Sequence, residues 1–435
     1  MLTAVESTIT AIVFVVQVLP VGSNVGLLRI MWAMVNGSFL ASRGAVHSAL
    51  AANAFAPEEI RRSWSALRYG AWAIEELIAA WQVYVAAGNA WRARRYAGYR
   101  VKSIDITAFW PGAHWARLAG QVSKHYHAVA QKALPAMVFG VIISAGEIKG
   151  KRIPLLQSIV RCATDLSETA FRQVLLKAAL KTTQADEITV VDAGFELSEL
   201  QATQTQRFVV RMASNCTARR NQRAAYKGKG ARPKYGQLVR PLPRRRLATQ
   251  ITATPSDATG TFGFTDRTIR YETWCDLVTT TTVVAADNPT FSIHVFYDPL
   301  YQKPLVIATD LALHAELIYL IYRDRWPVEQ PPLAAKQMIG CHRQFVFAPE
   351  ACFRLPELAL LVGNILTYLA AILPPSPAGF WDRTPKATPG RLRRLLARAN
   401  FPNLADFDPE LRKKNSVSDH LPKGIDAHRR RKPVP

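Results

Sequence analysis

The chain is poor in acid, poor in cysteine, and without a long unbroken apolar run. Only 32 Asp and Glu stand against 55 Lys and Arg, a formal charge of +23 at pH 7. A surplus of that size points to a polyanionic partner, nucleic acid first and an anionic membrane second. The five cysteines, Cys162, Cys216, Cys275, Cys341 and Cys352, are scattered and form no CxxC pair. That spacing excludes the common structural zinc site and the redox dithiol, and it suits a reducing cytosol. Cys341 beside His342 is a neighbour pair of the kind that usually packs rather than binds metal.

The apolar stretches fall short of a membrane span. Residues 11–21 carry Gln17 and Pro20 and follow Glu6 rather than a basic residue, unlike a signal peptide. Residues 358–373 are uncharged, yet they include Gly363, Asn364, Thr367 and Tyr368 and are shorter than the roughly 20 residues a spanning helix needs. Both read as buried core helices. With 435 residues and 49% hydrophobic content, the chain can bury two or three structural units.

What is present begins with helices. Residues 1–98 read as wholly helical, and the clearest run starts at Pro57, with Ile60, Trp64, Leu67, Ala71, Ile74, Ile78 and Trp81 on one face. Before it, residues 27–35, the Asn36-Gly37 turn and residues 42–51 predict two short helices at an angle, the geometry of a helix-turn-helix. From Tyr99 the pattern becomes strands: 99–106, then 137–144 and 147–155 as a hairpin turning at Ala145-Gly146. A helix over 167–181, a buried strand over 187–191 ending at Asp192, a helix over 198–205 and a strand over 207–212 follow. This order predicts a mixed α/β sheet covered by helices.

Residues 213–300 interrupt that plan with a basic, β-rich insertion that includes strands over 268–284 and 291–297; Trp274 within it reads as a core residue. Between Cys216 and Arg246 stand Arg219, Arg220, Arg223, Lys227, Lys229, Arg232, Lys234, Arg240, Arg244, Arg245 and Arg246, with no acid. A charge run is commonly a solvated loop; interleaved with Tyr226 and Tyr235, this one favours phosphate contacts, which position DNA without reading its sequence. A strand over 305–309 and a helix over 315–325 resume the core, which extends over 301–375. Residues 376–435 form a basic C-terminal region with an amphipathic segment at 391–399 and a tail at 429–435 expected to be disordered.

The chemistry concentrates in Tyr322-Arg323-Asp324-Arg325-Trp326-Pro327-Val328-Glu329, followed by Lys336. On one helix the spacing YxxRxxxExxxxxxK returns Tyr322, Arg325, Glu329 and Lys336 to one face. A carboxylate flanked by a hydroxyl, a guanidinium and an ammonium suits a phosphate chain held beside a metal. An Arg/Glu pair alone is usually a surface salt bridge; the four-part spacing is far more specific. Pro331 and Pro332 predict a kink or restart just after Glu329, and Pro327 an uncertain start.

This spacing resembles the signature of the insertion-sequence DDE transposases marked by Tyr, Arg, Glu and Lys. The resemblance covers residues 99–372 and implies an RNase H-like core with a β-rich insertion and an N-terminal, end-binding helical domain at 1–98. It implies Asp105 on the first strand (99–212 being the first part of the core), Asp192 in Asp-Ala-Gly-Phe at the end of the fourth, and Glu329 on a later helix as catalytic metal ligands. The implied cofactor is two Mg²⁺ or Mn²⁺ ions, with Asp105 bridging them. Hard oxygen ligands and open positions for water and phosphate are what such a pair requires. The implied partners are double-stranded DNA, as terminal inverted repeats and target, and a second copy of the chain. The implied setting is a bacterial cytoplasm and nucleoid, with no membrane. A catalytically inactive, DNA-binding relative is the alternative. A peripheral membrane protein fits less well, because the clustered charge lies in a Gly- and Pro-containing segment rather than a basic amphipathic helix.

Overall fold

The computed structural model describes residues 2–403 and 411, apart from 112–115, 119, 227, 229, 247, 248, 343 and 344. The chain opens with six helices, α1 (Leu2–Val16), α2 (Ser23–Val35), α3 (Ser38–Ala41), α4 (Val46–Ala51), α5 (Pro57–Tyr69) and α6 (Ile74–Ala87). Strands β1 (Arg92–Ala93), β2 (Arg95–Tyr96), β3 (Tyr99–Phe109), β4 (Ser123–His127), β5 (Lys132–Ile148) and β6 (Lys151–Arg161) follow. Then come α7 (Glu168–Leu180), β7 (Glu187–Val191), α8 (Leu197–Ala202) and β8 (Phe208–Arg211). The insertion supplies β9 (Ala218–Arg223), β10 (Gly236–Val239), β11 (Arg244–Arg246), β12 (Thr249–Ile251), β13 (Ala258–Phe264), β14 (Arg267–Val278) and β15 (Phe291–Tyr297). After β16 (Leu305–Thr309) the chain is helical, through α9 (Ala315–Arg323), α10 (Gln330–Leu333), α11 (Ala351–Ile372) and α12 (Pro389–Leu396).

These elements cluster into two compact units. One joins the residues up to Arg94, Asp105–Phe171 and the chain from Trp326 onward; the other joins Arg95–Ile104 and Arg172–Arg325. The N-terminal helices thus share a unit with the β4–β6 strands and with α11 and α12. Strand β3 passes from the second unit into the first at Asp105.

In the first unit, α11 is the centre: nearly all of its 22 residues are buried, including Asn364. It is the one helix among those described that is long and apolar enough to cross a membrane, and its apolar surface is consumed by packing instead. The predicted uncharged run was too short because the helix begins at Ala351, ahead of Arg354 and Glu357, whose charges are partnered. Asn364 Oδ1 accepts from Trp81 Nε1 (2.9 Å) and the Leu156 amide (3.1 Å), and its Nδ2 donates to the Pro154 carbonyl (2.7 Å). One buried side chain therefore ties α6, β6 and α11, and a buried amide satisfied this way specifies a single packing.

Two expectations are corrected here. The periodic run from Pro57 to Trp81 is two helices, not one: α5 stops at Gly70 and α6 restarts with the Glu76 carboxylate accepting from the Ala73 amide at 3.0 Å. A Cβ at residue 70 would lie 2.4 Å from the Ala66 carbonyl, so only glycine permits this corner. The hairpin of β5 and β6 turns at Lys149-Gly150 rather than Ala145-Gly146, because both turn residues take positive φ (51° and 73°), as a two-residue turn with the strands' twist requires.

The second unit is a mixed sheet flanked by helices, with strand order β3-β7-β8-β16-β15-β14-β9-β10. β3, β7 and β8 run parallel; the remaining pairs are antiparallel, and β13 adds to β14. Trp274 on β14 is fully buried and donates to the Thr254 and Pro255 carbonyls, the core role its sequence suggests.

Candidate active site

Strand β7 is buried along its whole length because Ile188, Val190 and Val191 are apolar and β-branched, and it delivers Asp192 at its end. Tyr322 donates its hydroxyl to Asp192 Oδ1 at 3.0 Å. Arg325 Nη2 stands 3.5 Å from Oδ2 and Arg211 Nη1 3.5 Å from Oδ1. The Ala193 amide also donates to Oδ1, at 2.8 Å. Burial pushes the Asp192 carboxyl up, but Arg325, the Ala193 amide, Tyr322 and Arg211 outweigh it, so Asp192 is ionised below the ordinary aspartate range. The Tyr322 hydroxyl, buried beside that charge, is pushed up to about 12 and stays a donor.

Arg325 does not share a helix with Tyr322. α9 ends at Arg323, where buried Asp324 accepts from the Tyr96 hydroxyl at 2.7 Å and anchors the turn that follows. The expectation of one helical face for the whole motif is therefore corrected. Glu329 closes a 3-10 helix, Trp326–Glu329, α10 begins with Gln330 and carries Pro331 and Pro332, and Lys336 sits in a π-helical stretch, Ala334–Ile339. Proline has no amide to donate, so this segment restarts as its proline content predicts.

In the first unit Lys336 meets the end of β3. Its Nζ donates to Thr107 Oγ1 at 2.8 Å and lies 5.2 Å from the Phe109 ring centre and 5.5 Å from that of Trp110. Burial lowers its pKa to about 8, against the charge of nearby Asp105, which opposes the shift. Asp105 Oδ1 accepts from the Ile106 amide at 2.8 Å. Glu329 is half-buried in this same unit.

The structure thus gathers Tyr322 and Arg325 around Asp192 in one unit, and Lys336 with Asp105 in the other. Among the described residues no three His, Cys, Asp or Glu side chains are grouped so as to hold a metal ion. The donor chemistry, carboxylate oxygens from within β3, from the end of β7 and from the end of the 3-10 helix, is of the kind hard divalent cations select. Sequence reasoning missed Arg211, Thr107, Phe109 and Trp110. The first was readable: parallel register pairs Val191 with Val210, so the next step along β7 and β8 sets Asp192 beside Arg211.

In the insertion, Arg219 donates to the Gly236 and Thr280 carbonyls and stacks on Tyr235. Arg220 is paired bidentately with Asp257, an acid 37 residues away. The reading of the run as uncompensated is corrected there: the sheet brings the acid that the local sequence lacks. Arg244 donates to the Asn215 carbonyl, whereas Arg232, Lys234 and Arg245 are exposed. Lys227, Lys229, the Arg246 side chain and the tail at 429–435 lie outside the described residues. Comparison with protein-family models finds no matching family, and comparison with curated proteins finds no relative.

Proposed function

We propose that this chain is an insertion-sequence DNA transposase with an RNase H-like core, cutting phosphodiester bonds at element ends and joining them to target DNA. The observation that carries the reading is convergence: residues of one short motif, Tyr322 and Arg325, reach Asp192, 130 positions away in sequence. Lys336, from the same motif, reaches the neighbourhood of Asp105. Strand connectivity within each unit supports it too: β5 and β6 form an antiparallel hairpin in the first, and β3, β7 and β8 are parallel neighbours in the second. The net charge supports a DNA partner.

Asp105, Asp192 and Glu329 would hold two Mg²⁺ or Mn²⁺ ions, which when bound supply activation of the attacking hydroxyl and stabilisation of the departing oxygen. The chain's own cations have a separate task. Arg325 and Arg211 keep Asp192 ionised and offer positive charge to a phosphate chain. A homodimer in the bacterial cytoplasm and nucleoid is the setting this reading carries with it.

The basic insertion, with Arg232, Lys234 and Arg245 exposed, would equally serve the alternative, an inactive DNA-binding relative. Incubating the protein with labelled element-end DNA and Mg²⁺ or Mn²⁺ separates the two. Wild type nicks the ends, and Asp192→Asn and Glu329→Gln lose about a thousandfold or more of that rate, the several kcal/mol that metal ligation supplies. Equal cleavage by the carboxamide variants overturns the three-carboxylate assignment.

A further inference from the structure

A groove of about 600 Å³ in the first unit lies between the start of β6, the Trp326–Glu329 turn and α12. That volume is of the size that binds small organic ligands, on the order of one or two nucleotides. Trp326 is 51% exposed although Pro327 and Val328 beside it are buried, and Leu333, 43% exposed, extends the apolar wall. Lys151 and Arg152 border one side and Arg393 and Arg394 the other; none of the described residues lining the groove is Asp or Glu. Gln330 Nε2 donates to the Arg152 carbonyl at 3.5 Å, tying the start of β6 to α10. In a 3-10 helix residues i and i+3 eclipse one another, so Trp326 stands one turn from Glu329 on the same side.

An exposed indole among cations is the chemistry of an unpaired strand, whose bases have free faces to stack and whose phosphates seek positive charge. A duplex keeps its bases stacked on each other and would use the cations alone. An acidic peptide would likewise leave the indole idle. We propose that this groove binds a single DNA strand, a base stacked on Trp326 and the flanking phosphates on Lys151, Arg152 and Arg394. The inference rests on the transposase reading for the identity of its ligand, and it adds the form in which DNA lies beside Glu329.

The test titrates full-length protein, in EDTA to suppress cleavage, into a fluorescein-labelled oligo-dT strand and a blunt duplex of equal length. Trp326→Ala weakens strand binding about tenfold and Trp326→Phe less than about threefold, while duplex binding moves by less than about twofold. Lys151→Glu with Arg394→Glu weakens strand binding and lowers its salt slope by about one to two. A strand carrying 5-iodouracil, irradiated in the complex, cross-links to the peptide containing Trp326. Wild-type strand affinity in Trp326→Ala, cross-links mapping elsewhere, or equal displacement of the strand by a glutamate-rich peptide each overturns the proposal. Should Trp326→Ala melt early, the charge variant and the cross-link map carry the test. Asp192→Asn separates the two readings: it binds the strand as wild type does, so normal cleavage by Asp192→Asn sinks the nuclease assignment and leaves the groove standing.

Discussion

The two halves of the Tyr-Arg-Glu-Lys motif are built in opposite ways. Tyr322 and Arg325 leave the end of a regular helix and meet Asp192 as an ion-paired group, reinforced by Arg211. Glu329 and Lys336 occupy a stretch that passes from 3-10 through α to π geometry, and Lys336 is held by two aromatic rings and the Thr107 hydroxyl. The first half uses charge against charge. The second keeps a cation largely out of water with few acids to match it. The spacing therefore delivers Tyr322, Arg325 and Lys336 to carboxylate-bearing strands without a shared helical face.

The sharpest way to break this comparison is Arg325→Ala. It removes the main counter-charge of Asp192, and on the proposed transposase reading end cleavage should fall about a hundredfold, with partial recovery in Arg325→Lys. Wild-type cleavage rates in Arg325→Ala would leave the second half as the only part of the motif that matters. Next, Gly363→Ala presses on that second half, because a Cβ there lies 2.9 Å from the Pro331 carbonyl and 3.0 Å from Ala334 Cβ. Overpacking should lower unfolding stability by about 1–3 kcal/mol, read as a lower urea midpoint at unchanged m-value.

Lys336 gives a pH test of the contrast. Its folded pKa, about 8, lies below its ordinary 10.5, so the unfolded chain binds more protons between those values. Stability should therefore rise as pH climbs through that window, by about 2 kcal/mol after allowing for partial exposure, and Lys336→Met should flatten the rise. Urea titrations at several pH values in EDTA measure it; an unchanged slope in Lys336→Met means that another group carries the titration. The smallest effect belongs to Tyr322→Phe, which deletes one hydrogen bond to Asp192. Cleavage should fall less than tenfold, about 1 kcal/mol, because both arginines remain.

Local signals in the sequence were enough for the strands that matter. β7, β15 and β16 fall where apolar, β-branched runs bounded by turn residues predict them, since burial on a pleated sheet rewards that pattern directly. Asp192 was legible for the same reason, as the polar residue ending an apolar strand. The corner at Gly70 was not, because heptad-like spacing continues across it and only the crowding around the glycine shows why the helix stops. The surroundings of Lys336 were equally hidden: Thr107, Phe109 and Trp110 come from β3 and the residue after it, and no local pattern joins them to a π-helical stretch more than two hundred residues on. The Arg220–Asp257 pair failed for a related reason, since composition counts charge along the chain and the sheet pairs it across strands.

The Asn364 knot has a consequence for how this protein is born. It joins α6 and β6 to a helix that leaves the ribosome roughly two hundred residues after β6, as vectorial synthesis orders the chain. Until α11 emerges, α2, α6 and β6 have no partner for the faces they turn toward it, whereas β7 through α9 arrive as one contiguous stretch of the second unit. Closing such distant contacts is slow, so the first unit completes late in synthesis. A message truncated before the codons of α11 would then yield a chain with its second unit's sequence present and the faces of α2, α6 and β6 that pack on α11 bare, the kind of exposed surface that chaperones and proteases act on.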